Sequence, residues 1–222
     1  MGNIIQLTAS DGHSFDAYQA DPEDAPKGAI VLIQEIFGIN SHIREVCDGY
    51  AADGYVTIAP ALFDRVERGV ELGYDEEGRQ KGVGIRRQLQ WDDVLNDVQA
   101  SADAVSSAGK LAVVGYCFGG SVAWLAATRL NIDCAVSYYG GNVSEFADEQ
   151  PKCPVIFHIG DQDNAIPEEK IEIIRKAQPD LPLYIYEGAG HGFNCDQRGS
   201  WHEAAATLAR SRSIELLSQN IG

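Results

Sequence analysis

The sequence is short of positive charge. Lysine and arginine total 17 against 33 aspartates and glutamates, a net charge of -16. The average field therefore repels phosphate backbones and anionic membrane surfaces, which argues against a nucleic acid or membrane partner. No apolar stretch approaches the roughly 20 residues that span a bilayer, and Met1-Gly2-Asn3-Ile4-Ile5-Gln6 lacks a basic start followed by a long apolar run. A soluble chain without a secretion signal is expected. The cysteines Cys47, Cys117, Cys134, Cys153 and Cys195 are odd in number, widely spaced and free of any C-x-x-C pair, against a disulfide framework or a thiolate zinc site. A reducing cytoplasm fits this usage. Histidines and cysteines do not recur at ligand spacing, so no metal or cofactor is implied. Also missing are internal repeats, low-complexity tracts and any linker long enough to divide the chain. With 222 residues, 45% of them hydrophobic, the expectation is one α/β domain spanning residues 1–222.

What is present is an alternation. Ile4 to Thr8 and Phe15 to Gln19 flank Ser10-Asp11-Gly12-His13, and Asp-Gly between extended segments signals an antiparallel hairpin. Six apolar runs of buried-strand type follow: Ala29–Ile33, Tyr55–Ala59, Leu111–Val114, Ala135–Tyr138, Val155–Ile159 and Leu183–Tyr186. Between them lie stretches with helical spacing at Ile43–Ala52, Trp91–Val105, Val122–Leu130, Glu168–Ala177 and Trp201–Leu217. The pattern predicts a mostly parallel, doubly wound sheet of about eight strands with helices on both faces. Asp64 to Arg87 is charged, glycine-containing and weakly periodic, and reads as a loop or short excursion over the sheet's edge.

Gly115-Tyr116-Cys117-Phe118-Gly119 has the form G-x-nucleophile-x-G, directly after a strand and before the helical stretch that opens at Gly120-Ser121-Val122. That context is the nucleophile elbow of an α/β-hydrolase. Glycines at 115 and 119 leave room for a strained turn and close helix–strand packing. The turn would aim Cys117 at a helix N-terminus, where free N–H groups and aligned dipoles favour a thiolate. An isolated cysteine is more often a small buried hydrophobe; the strand, the glycines and the helix together shift this one to a chemical role.

A thiol nucleophile needs a base and an orienting acid, which in such folds follow it in the order acid, then histidine. His191 lies in Gly188-Ala189-Gly190-His191-Gly192-Phe193, just past the last strand. Asp161 and Asp163, in Gly160-Asp161-Gln162-Asp163, follow the strand before it. Asp163 is preferred, because it can turn inward ahead of Ile166-Pro167, whereas Asp161 could simply cap the turn. His13, His42 and His202 read as surface or helix residues, and His158 as a strand residue.

The elbow, Gln34-Glu35-Ile36-Phe37-Gly38, Gly160-Asp161-Gln162-Asp163 and Ala189-Gly190-His191-Gly192-Phe193 together resemble the dienelactone hydrolase family over nearly the whole chain. The resemblance implies a compact, usually monomeric enzyme with Cys117, Asp163 and His191 as its triad. It also implies that Glu35 contacts the resting cysteine and swings away when substrate arrives, and that the backbone N–H groups of Ile36 and Phe118 form the oxyanion hole. The sequence departs from the family after the histidine: where a serine and an arginine hold a substrate carboxylate, Gly192 and Cys195 stand here. Arg79 matches the family's other arginine, and Arg198 lies near enough to substitute. Whether the substrate carries a carboxylate is left open.

The chemistry implied is attack by Cys117 on a carbonyl, a thioester intermediate, and proton transfer through His191. A thiol, with a pKa of about 8.5, leaves more readily than a simple alcohol, so substrates need good leaving groups. Enol lactones, aryl esters and thioesters fit. Activated phosphotriesters fit as a side activity. The competing readings are a thiol-redox sensor, for which no resolving cysteine lies near Cys117 in sequence, and a non-catalytic binding protein on the same scaffold.

Overall fold

The computed structural model describes residues 2–222. The chain opens with β1 (Asn3–Thr8) and β2 (Ser14–Ala20), paired antiparallel with Thr8 opposite Ser14. The turn between them closes as its Asp-Gly signal predicts: Gly12 takes φ +88° and the Ala9 N–H donates to the His13 carbonyl. The next elements are β3 (Gly28–Ile33), α1 (Ser41–Ala52) and β4 (Tyr55–Pro60). They are followed by α2 (Glu76–Arg86), α3 (Trp91–Ala104), β5 (Leu111–Tyr116), α4 (Phe118–Arg129) and β6 (Cys134–Tyr138). The chain ends with β7 (Val155–Gly160), α5 (Glu168–Ala177), β8 (Leu183–Tyr186) and α6 (Glu203–Asn220). One eight-stranded sheet results, in the order β1-β2-β4-β3-β5-β6-β7-β8. β2 is antiparallel to both of its neighbours, and the pairs from β4 through β8 are parallel.

The continuous apolar runs become central strands because both of their faces are covered. Every residue of β3, β6 and β7 is buried. Side-chain alternation along β5 sorts the helices: Gly115 meets α4, whereas the adjacent Tyr116 reaches the opposite face and lies 3.3 Å from the Tyr50 hydroxyl of α1. On that second face Tyr138 also bonds Ser213 of α6 at 2.7 Å. Trp124 of α4, wholly buried, satisfies its indole N–H on the Phe146 carbonyl.

One expectation is corrected. The segment from Asp64 to Arg87, read as a loop or short excursion over the sheet's edge, starts within a short 3-10 turn at Leu62–Arg65 and carries the eleven-residue helix α2. Asp75 caps that helix by accepting from the Gly78 N–H, and Glu76 and Glu77 complement its N-terminal dipole. Its buried face consists of Gly78, Gly82 and Ile85, so the hydrophobic periodicity that normally marks a helix is missing. A Cβ on Gly82 would overlap the Ile36 carbonyl, and α2 therefore rests backbone to backbone on the segment after β3.

Candidate active site

Five loops meet beyond the carboxyl ends of the parallel strands, where open α/β sheets place their sites. Cys117 sits between β5 and α4 with φ +57° and ψ -115°, a conformation a non-glycine residue holds only under strain. Neighbours enforce it: the Cys117 N–H donates to the Tyr138 carbonyl at 3.0 Å and the Gly119 N–H to the Gln34 carbonyl at 3.1 Å. A side chain at Gly115 would strike the Gly119 carbonyl, and one at Gly119 would strike the Ile33 and Gln34 carbonyls, so both glycines are steric requirements of the turn.

The strained turn leaves Cys117 Sγ 3.1 Å from His191 Nε2. His191 Nδ1 is 2.8 Å from Asp163 Oδ2, and the other Asp163 oxygen accepts from the Ala165 N–H at 2.8 Å. Asp163 is buried and Cys117 partly exposed, so the chain runs from the interior toward solvent. Asp161, the alternative acid, does not cap its own turn but accepts from the Gly188 N–H at 2.8 Å in the loop after β8. Burial pulls the His191 pKa down. The charge on the Cys117 sulfur and the hydrogen bond to Asp163 outweigh it and raise the imidazole to about 10. The other four thiols are inert by comparison: burial pushes Cys47 far up, Cys134 to about 12, and Cys153 and Cys195 to about 11.

Neither the Ile36 nor the Phe118 N–H donates to a backbone carbonyl among the described residues; Ile36 follows β3 and Phe118 opens α4, whose first-turn N–H groups have no partner within the helix. Glu35, fully buried, differs from the contact its family resemblance implies. Its Oε1 accepts from Arg198 Nη1 at 2.9 Å, its Oε2 has no partner, and the Cys117 sulfur is hydrogen-bonded to His191 instead. Opposite charge this close satisfies a buried carboxylate better than a thiol can. Arg198 also lies over the rings of Phe37 and Tyr74, and a Cβ on Gly192 (φ +78°) would overlap its guanidinium, so Gly192 makes room for Arg198.

Arg79 is not brought to this site. It pairs with Glu76 on the exposed face of α2, a local helix contact. The arginine that α2 does supply is Arg86, which no sequence signal marked. Its guanidinium lies 3.9 Å from the Trp91 ring centre and 4.6 Å from that of Phe118, and burial lowers its pKa. Tyr139 was equally unmarked. It holds φ +39° at the end of β6, its ring lies 5.1 Å from the His191 ring, and its buried hydroxyl has no partner. Of the other histidines, His42 is buried in α1, His202 caps α6, and His158 is held in the core between Tyr186 and Ser213.

The sequence profile described as the dienelactone hydrolase family matches residues 15–221. A carboxymethylenebutenolidase of Pseudomonas putida is 33% identical over 224 residues, covering 96% of this chain and 95% of its own. A candidate dienelactone hydrolase of Klebsiella pneumoniae superposes with a TM-score of 0.85 at 30% identity, over 98% of this chain and 99% of that one. A dienelactone hydrolase-like promiscuous phosphotriesterase from metagenomic libraries shares the fold, with a TM-score of 0.76 at 21% identity over 100% of this chain and 99% of its own.

Proposed function

The chain belongs to the dienelactone hydrolase family and is a hydrolase of lactone or ester bonds, and from that premise we propose that it cleaves activated esters and enol lactones through a thioester on Cys117. The observation that carries this reading is the continuous contact from Cys117 Sγ through His191 to Asp163, at 3.1 and 2.8 Å. In the first half-reaction the sulfur attacks the carbonyl carbon and the developing oxyanion is held by the N–H groups of Ile36 and Phe118. His191 gives its proton to the departing enol or phenol oxygen. In the second, His191 takes a proton from water, which attacks the thioester, and the cysteine leaves as thiolate. Asp163 fixes the imidazole's orientation throughout and stabilises its charged form. Good leaving groups are required, because the tetrahedral intermediate otherwise expels the thiolate.

Arg86 favours substrates that carry an acidic group. It makes no ion pair among the described residues, faces the Phe118 end of the elbow, and feels the charge of Glu145 and, less strongly, that of Cys117. Arg198 is committed to Glu35. A second reading, activated aryl phosphotriesters as a side activity, draws on the same thiol and pair of N–H donors and on the activity for which the metagenomic relative is described.

The test is incubation with an activated aryl ester, followed by intact mass and peptide mapping. An acyl adduct on Cys117 and abolition of turnover in Cys117→Ala are expected. Turnover unchanged in that variant would overturn the reading, and failure of a stoichiometric aryl phosphotriester either to release phenol or to modify Cys117 would remove the second.

A further inference from the structure

We propose that His42, Cys195 and Asp196 form a binding site for one divalent transition-metal ion, with zinc the best match, outside the Cys117–His191–Asp163 chain. The three residues carry no ligand-spacing motif in sequence. Folding brings them together by seating the loop after His191 against the first turn of α1. Each then offers one ligand atom, and the three atoms lie within 4.8 Å of one another. His42 Nδ1 and Asp196 Oδ1 are already 3.3 Å apart. Ligands of a four-coordinate zinc ion, with bonds of about 2.0 to 2.3 Å, sit roughly 3.3 to 3.7 Å from one another, so the thiol is within about 1 Å of its place.

The state of His42 is the independent observation. Only 3% of the residue is exposed, yet Nδ1 faces only the exposed carboxylate of Asp196. Nδ1 is the nitrogen that faces the site, and a buried imidazole nitrogen held only by an exposed carboxylate is one that a bound ion would engage more fully. A path to the site exists. A cavity of about 390 Å³ is lined by His42 and Asp196 together with Asn194, Trp201 and Arg210, with space for a water as fourth ligand. The guanidinium in that wall is already engaged by Asp53 and stacked on Tyr50.

The donor set selects the ion. One thiolate, one imidazole and one carboxylate suit a borderline cation, whereas calcium and magnesium require oxygen ligands throughout. On binding, the Cys195 thiol proton leaves to solvent as the metal–sulfur bond forms; nothing is oxidised or reduced, and two ligand charges neutralise the ion's two. A chain of net charge -16 also concentrates cations at its surface. The site's position gives it a consequence. The Cys195 N–H donates to the Gly192 carbonyl and its own carbonyl accepts from the Arg198 N–H, so an occupied site would fix the loop whose ends are His191 and Arg198.

Cobalt loading of Cys117→Ala protein tests this, because the other thiol on a functional loop is then gone. One equivalent of Co²⁺ should give a thiolate-to-metal charge-transfer band in the near ultraviolet and the strong visible bands of a four-coordinate ion, with zinc displacing it. Both signals should be lost in Cys195→Ser and in His42→Ala. Asp196→Asn, at a side chain exposed to solvent and therefore safe for folding, should bind about tenfold more weakly or worse. Absence of the thiolate band, its survival in Cys195→Ser, or an unchanged affinity in Asp196→Asn would each overturn the proposal.

Discussion

At the scale of single residues the site is governed by where charge sits between Cys117 and His191. Burial alone would keep the imidazole neutral. The sulfur's charge at 3.1 Å and the Asp163 carboxylate at 2.8 Å reverse that and raise His191 from an ordinary 6.5 to about 10. Because the folded pKa lies above the unfolded one, the stabilisation is fully present below about pH 6.5 and is lost as pH rises through about 10. The imidazole is then protonated at neutral pH, ready to act as an acid toward the leaving group. NMR of the imidazole nitrogens should therefore follow His191 titrating near pH 10, and Cys117→Ala should move that midpoint sharply down, because the sulfur is the largest of the raising causes. A midpoint below 7 in the unaltered enzyme, or one that Cys117→Ala leaves in place, would show that the sulfur carries no such charge.

At the scale of elements, what could be read in the sequence depended on whether hydrophobic pattern and function coincided. The central strands were legible because Ala29–Ile33 and Val155–Ile159 are continuous apolar runs buried on both faces. The elbow was legible because its glycines answer local steric demands. Asp163 and His191 follow strands, so their order along the chain already suggested their places. Helix α2 was not legible, since a face of Gly78, Gly82 and Ile85 gives almost no periodicity; its function is close approach rather than apolar burial. With α2 unrecognised, Arg79 and Arg86 could not be told apart: one is on the exposed face beside Glu76, the other over Phe118. Nor does sequence disclose Tyr139, whose place against the His191 ring depends on a strained backbone just after β6. Two glycines of α2 separate its packing from its propensity. Gly82→Ala drives a methyl into the Ile36 carbonyl, which should displace an oxyanion-hole residue and lower kcat at least as much as stability. Gly84, exposed with nothing around it, should gain up to about 1 kcal/mol on replacement by alanine, with activity unchanged. Equal outcomes for the two in unfolding and turnover assays would deny α2 its link to the site.

At the scale of the whole molecule, one arginine ties helix α3 to the first hairpin and to the turn after β4, two segments that the sheet already joins through β2 and β4. Arg65, just after β4, is held bidentately by Asp97 of α3 at 2.8 and 2.7 Å and also reaches Asp11 of the first hairpin at 2.9 Å. Asp97 is wholly buried, and burial raises its pKa to about 6 even though the guanidinium opposes it. The folded value lies above the ordinary 3.8, so the fold favours the protonated carboxyl and loses that preference as pH rises through about 6. Arg65 is what makes the ionised form tolerable at neutral pH. Removing it as Arg65→Ala leaves a buried carboxylate without its counter-charge, a loss of about 3 to 5 kcal/mol, which is a large part of an ordinary domain's stability. The loss should depend on pH: near full size at pH 8, where Asp97 must be charged, and smaller at pH 5, where it can take up a proton. We further propose that residues 1–222 form one domain, in which case hairpin, α3 and the central strands should unfold in a single urea transition at both pH values. A penalty equal at pH 5 and pH 8 would mean that packing of the arginine, not its charge, holds the three segments together; two transitions would mean that the hairpin and its neighbours unfold apart from the strands that carry Cys117.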